Sequence, residues 1–154
     1  MEINEFDESN LELFYSIQSN NKLFVYVAGP YSSPDPVINT KIAMEIGDLL
    51  EDTGKFIAYI PHLSMFRHLL HNRQYDYWLI HGLIVLKRCD CMIRIPGKSR
   101  GTIIEQSFAS INDIPVFEIT ETMMKNKNCL FKEFSLFADT VNEKKMIHEN
   151  KGTQ

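Results

Sequence analysis

Apolar residues fall along this chain in two alternating rhythms. Leu23-Phe24-Val25-Tyr26-Val27-Ala28 is a short, nearly continuous apolar run that stops at Gly29-Pro30. A run of that length, rich in β-branched and aromatic side chains, predicts a strand covered on both faces. From Asp35 the spacing changes, and Ile38, Ile42, Ile46, Leu49 and Leu50 recur at helical intervals. Asp35 can cap that helix, Pro36 suits its first position, and Gly54 can close it. Residues 56–60 predict a second strand, stopped by Pro61. A short helix is expected around 64–71 and a longer one over 75–88. Residues 91–95 read as a third strand ended by Pro96-Gly97, and 101–112 as a helix with Ile103, Ile104, Phe108 and Ile111 inward. Residues 115–117 read as a fourth strand. Strands alternating with helices require crossover connections. The expected class is α/β: a doubly wound, mainly parallel sheet with helices on both faces, of the Rossmann or flavodoxin type.

Three zones follow from this pattern. Residues 1–22 form a polar leader with one amphipathic stretch (Leu11, Leu13, Phe14, Ile17), 23–118 hold the α/β domain, and 119–154 read as a helical extension with a frayed tail from 149. Met123 and Met124 fit core or interface.

Composition narrows the function classes. Of 154 residues 44% are hydrophobic and 23% charged, ordinary values for one folded domain. The formal net charge of −4 offers no general attraction to nucleic-acid phosphates, so bulk DNA or RNA binding is excluded, whereas a small nucleotide held by directed contacts is compatible. No apolar run approaches the roughly 20 residues that span a bilayer, and no membrane partner is expected. The acidic start, residues 1–8, lacks the regions of a secretory signal. Cys89, Cys91 and Cys129 have no disulfide or zinc spacing, and reduced thiols in a cytoplasmic protein are expected.

In a doubly wound sheet, ligands bind beyond the carboxyl ends of the strands, beside the switch in strand order. Two loops are expected there. Ala28-Gly29-Pro30-Tyr31-Ser32-Ser33 follows the first strand and supplies hydroxyl donors beside a glycine that permits close backbone approach. Pro96-Gly97-Lys98-Ser99-Arg100-Gly101-Thr102 enters a helix and offers free N–H groups, a serine hydroxyl and two cations, the ingredients of a phosphate site without the Walker order. Glu105 stands one helical turn further on. His62, His68 and His71 have no glutamate or cysteine at zinc-like spacing, so neither a metal nor a cofactor is expected. Trp78 is expected to anchor its helix in the core, with stacking on a nucleobase as the other use of it and of Tyr75 and Tyr77.

Ala28-Gly29-Pro30-Tyr31, Leu86-Lys87-Arg88-Cys89-Asp90 and Ser99-Arg100-Gly101-Thr102-Ile103-Ile104-Glu105 together resemble the nucleoside 2-deoxyribosyltransferase superfamily, which includes nucleoside 5′-monophosphate N-glycosidases. The likeness covers about residues 23–118, and its most specific element is the S-x-G-x-x-x-E order. The resemblance implies that Glu105 is the nucleophile attacking the anomeric carbon, giving a glycosyl-enzyme ester that water or a second base resolves. It implies that Ser99 and Gly101 bind a 5′-phosphate, because Ser99 stands where transferases of free nucleosides carry aspartate. Gly29 and Tyr31 would shape the sugar side, and Asp90 would hydrogen-bond the site loops. Relatives place an acid for the leaving base eight residues before Asp90, where this chain has Gly82. Asp76 or His81 is then the candidate acid, neither in register.

The resemblance implies N-glycosidase or N-deoxyribosyltransferase action on a (deoxy)nucleoside 5′-monophosphate by a homodimer or larger homo-oligomer. The alternatives are a nucleotide-sequestering protein without turnover and a glycohydrolase acting on a dinucleotide such as NAD.

Overall fold

The alternation of strands and helices read from the sequence is realised as a four-stranded parallel sheet. The structure is a computed structural model and describes residues 8–151. In chain order the elements are α1 (Glu8–Gln18), β1 (Leu23–Ala28), α2 (Pro36–Asp52), β2 (Phe56–Tyr59), a 3₁₀ turn (Pro61–Ser64), α3 (Met65–Leu70), α4 (Tyr75–Leu86), β3 (Cys91–Arg94), α5 (Arg100–Ile111), β4 (Val116–Glu118), α6 (Glu121–Met124) and α7 (Lys127–Lys151). The strands run in the order β2-β1-β3-β4. Leu23 pairs with Phe56, Val25 with Cys91 and Met92 with Val116.

That order makes the fold doubly wound. The chain moves from β1 to β2 through α2, then returns over β1 through α3 and α4 to reach β3. Right-handed crossovers in opposite directions place their helices on opposite faces. Side chains of β1 alternate accordingly. Val25 and Val27 meet Ala43, Ile46 and Leu50 of α2 and Leu130, Phe134, Ala138 and Val141 of α7. Tyr26 and Ala28 meet Leu86 of α4 and Ala109 of α5. Full burial contributes roughly 1.5–3 kcal/mol for each large apolar side chain. Leu130, Phe134 and Val141 therefore make α7 part of the core.

Local chemistry sets the helix ends as the sequence indicates. Asp35 accepts hydrogen bonds from the N–H groups of Val37 (2.8 Å) and Ile38 (3.0 Å), with Pro36 in the first turn. Gly54, at φ +74°, turns the chain into β2.

Helix rotation is where the apolar pattern misleads. On α5, Ile103 (56% exposed) and Ile111 (82%) face outward, and the buried residues are Thr102 and Ala109. On α2, Ile38 is likewise exposed while Asn39 and Thr40 are buried. Small and polar residues occupy the sheet-facing lines near the helix starts, letting those ends approach the strands closely. The helix expected over 64–71 divides into the 3₁₀ turn and α3. The tail expected to fray from 149 is helical to Lys151, while 1–7, with most of the acidic start, and 152–154 lie outside the described residues. Among the described residues no helix is long and apolar enough to cross a membrane.

Candidate active site

The switch in strand order lies between β1 and β3, and the loops leaving their carboxyl ends border a cleft of about 600 Å³. Gly29, Tyr31 and Ser33 come from the first loop, and Lys98, Ser99 and Gly101 from the second loop and the start of α5. His62, His68, Tyr75 and Trp78 close the opposite wall. The loops are locked together. Gly97 has φ +132°, and a Cβ there would lie 2.5 Å from Pro30 Cγ, so backbone conformation and close contact both demand glycine.

Glu105 projects into this cleft from the inward line of α5, one turn beyond Thr102. Its Oε1 accepts a hydrogen bond from the Tyr26 hydroxyl at 2.6 Å. Tyr26 is fully buried on β1, facing α4 and α5, and its phenol reaches from the sheet to the carboxylate. Gly82 of α4 leaves the space for this pair: a Cβ there would lie 2.5 Å from the Tyr26 hydroxyl and 3.7 Å from Glu105 Oε1. Burial raises the Glu105 pKa from 4.5 to about 7, against the lowering effect of the Tyr26 hydrogen bond. Tyr26 itself is pushed well above its ordinary value, first by burial and then by the carboxylate beside it, so it remains a donor.

The start of α5 has the form of an anion cradle. Ser99 is its N-cap, with Oγ accepting from Thr102 N–H at 3.3 Å, which leaves the serine O–H free to donate. Lys98 and Arg100 flank it in the wall. The Tyr75 hydroxyl lies where a Cβ on Gly101 would meet it at 3.0 Å, so residue 101 has no room for a larger side chain without displacing that phenol.

Two imidazoles face the same cleft. His62 Nε2 lies 2.9 Å from the Pro30 carbonyl, which can only accept, so Nε2 carries the proton. Burial lowers the His62 pKa, and the ring is neutral. His68 Nδ1 accepts the indole N–H of Trp78 at 3.0 Å. Among the described residues, the buried side-chain polar atoms without a partner are His62 Nδ1 and Thr102 Oγ1, and both residues line this cleft. Buried polar groups are normally satisfied, and these two atoms, both shielded from solvent, are the exceptions in the residues around the cleft.

The structure brings together Gly29, Tyr31, Ser99, Gly101 and Glu105, but three other sequence candidates stand apart. Asp90 is at the amino end of β3, where it accepts the Phe24 N–H (2.8 Å) and pairs with Lys145 of α7 (2.7 Å). In a parallel sheet that edge is opposite the cleft. Asp76 and His81 do not line the cleft. Residues 75, 78, 79 and 82 share the inward line of α4, and positions 76 and 81 are each turned about 100° from it. Trp78, expected in the core, is a wall of the cleft instead, with the Arg67 guanidinium 5.5 Å from its ring. The sequence pattern does not single out Tyr26. Its signal was a tyrosine within a fully buried strand, whose hydroxyl must find a partner. Among the described residues no group of three or more His, Cys, Asp or Glu side chains is arranged to hold a metal ion.

Neither a scan of the chain against protein-family models nor a search of curated proteins finds a match.

Proposed function

We propose that this protein cleaves the N-glycosidic bond of a nucleoside 5′-monophosphate, with Glu105 as the nucleophile. The observation that carries the reading is a single carboxylate, desolvated and held by Tyr26, one helical turn from an anion cradle in the same cleft. With the 5′-phosphate on Ser99 and the α5 N-terminus, Glu105 attacks C1′ and the base departs. An ester to the sugar remains, which water or a second base resolves. A desolvated carboxylate is the stronger nucleophile once ionised, and the Tyr26 hydroxyl fixes its orientation. The reading agrees with the resemblance to nucleoside 2-deoxyribosyltransferases and N-glycosidases.

The test is chromatographic detection of free base from a panel of nucleotides and nucleosides. Release by wild type and none by Glu105→Gln supports the proposal. No release from any member of the panel, with the variant identical, overturns it. The second reading, a nucleotide-binding protein without turnover, is favoured by one observation: Glu105 is the sole carboxyl group among the described residues of the cleft wall. Calorimetric binding of a nucleotide without base release distinguishes it.

Self-association belongs to the same proposal. Tyr77, Ile80 and Ile84 of α4 and Phe66, Leu69 and Leu70 of α3, the two helices that supply His68 and Trp78 to the cleft wall, are exposed large apolar side chains. A helix that is apolar on all sides is ordinarily covered on all sides. Sedimentation is expected to give a dimer or larger species, and a monomer refutes this part.

A further inference from the structure

Among the described residues the cleft holds the proposed nucleophile but no group suited to protonate a departing base. Glu105 is the only carboxyl among the described residues of its wall. The position on α4 nearest the Tyr26–Glu105 pair is Gly82, and Asp76 and His81 are turned away from the cleft. Each imidazole of the wall has one ring nitrogen committed to a neighbour. His62 donates its Nε2–H to the Pro30 carbonyl, and His68 accepts the Trp78 N–H on Nδ1. A neutral imidazole that donates its remaining proton becomes an imidazolate, which is not accessible near neutral pH. Tyr26 is committed to Glu105, and burial raises Tyr31 and Tyr75 further above the neutral range. The remaining polar groups are hydroxyls and the cations Arg73, Lys98 and Arg100. Of these, Arg73 lies over the Tyr77 ring, 5.1 Å from its centroid.

An uncharged nucleobase leaves as an anion unless a proton reaches it, and a positioned acid is worth about 10²–10⁴-fold in rate. A base bearing a quaternised ring nitrogen at the glycosidic bond needs none. We propose that the substrates of this site are N-glycosides of cationic bases, N-ribosylpyridinium 5′-phosphates and their N-alkylpurinium counterparts. This inference rests on the N-glycosidase reading above. In the step, a Glu105 carboxylate oxygen forms a bond to C1′ as the C1′–N⁺ bond breaks. The bonding pair returns to the ring nitrogen, and the base leaves uncharged. Water then displaces the carboxylate from C1′, and its surplus proton passes to solvent. One proton is released per turnover and none is consumed. The walls suit such a group: Trp78, Tyr75 and Tyr31 present aromatic rings, whose π faces attract a desolvated cation.

Two matched pairs of probes test the proposal on the whole protein at pH 8. Nicotinamide mononucleotide is compared with its reduced, uncharged form, and 7-methylguanosine 5′-monophosphate with guanosine 5′-monophosphate. Free base is followed by chromatography and proton release by a pH-stat. The expected result is a kcat/KM at least about 100-fold higher for the cationic member of one or both pairs, beyond the ratio of the uncatalysed rates. One proton should appear per nicotinamide released, the 7-methylguanine ring having largely lost its own N1 proton beforehand at pH 8, and both base and proton signals should be absent in Glu105→Gln. Comparable cleavage of charged and uncharged members, or cleavage of uncharged nucleotides alone, overturns the inference and leaves the N-glycosidase reading standing. No base released from any probe or from the wider nucleotide panel overturns both.

Discussion

Replacing Glu105 by glutamine is expected to stabilise the protein at alkaline pH. The folded state holds this carboxyl in a desolvated position that raises its pKa from 4.5 to about 7. Between those values the folded protein binds more protons at this site than the unfolded chain, so stability falls as pH rises. The contribution is fully present below 4.5 and is lost as pH passes through about 7. At roughly 1.4 kcal/mol per pH unit, the loss is about 3 kcal/mol. Glutamine has the same shape, keeps an oxygen for the Tyr26 hydroxyl and does not ionise. Urea unfolding of both proteins from pH 4.5 to 8.5 isolates the effect, because all other titrating groups cancel in the difference. The variant should gain about 3 kcal/mol on wild type across that range, or roughly 6–12 °C in Tm for a chain of this length. Parallel stability curves, or a wild type that gains on the variant as pH rises, would refute the reasoning. The same measurement bears on function, since a site that costs stability at working pH is one retained for its chemistry.

The remaining predictions concern neighbouring groups. Tyr26→Phe removes the donor that lowers the Glu105 pKa, and a hydrogen bond to a charged group is worth roughly 1.5–3 kcal/mol. The acid limb of the base-release profile should move up by about one to two pH units, and an unmoved limb would count against the pair. Gly82→Ala forces a methyl onto the Tyr26 hydroxyl and should cost about 1–3 kcal/mol in denaturant unfolding together with most of the base release. Ser99→Asp keeps a good N-cap and should leave stability within about 0.5 kcal/mol, yet raise KM for a 5′-monophosphate far more than for the free nucleoside. Equal changes for both would place the phosphate elsewhere. Asp90→Ala should lower stability by about 1–3 kcal/mol through the orphaned Phe24 N–H and leave kcat/KM unchanged.

Much of this site could be read before any coordinates, because its parts are local. A capped helix following a strand, with Ser99, Gly101 and Glu105 at fixed intervals, needs only the first turn of α5 to take shape. The parallel, doubly wound class of the sheet was equally accessible, since buried apolar runs and helical spacing alternate along the chain. What escaped depends on distant elements meeting. Tyr26 acquires its role only when β1, α4 and α5 converge, 79 residues separating it from its partner. Trp78 and His68 become walls of the cleft because the 3₁₀ turn and α3 bring residues 62–68 against α4, and no periodicity encodes that docking. Ile103 and Ile111 misdirected the inner line of α5, since polar Thr102 and Glu105 lie on the cleft side that apolar counting ignores. Asp90 stands apart for a different reason. It precedes β3, and strand polarity alone puts it on the far edge of the sheet.

Gly97 of one loop is seated so close to Pro30 of the other that no side chain fits between them. A change at either residue is met by both loops at once. A larger residue at position 97 would therefore disturb the Tyr31 and Ser99 sides of the cleft together.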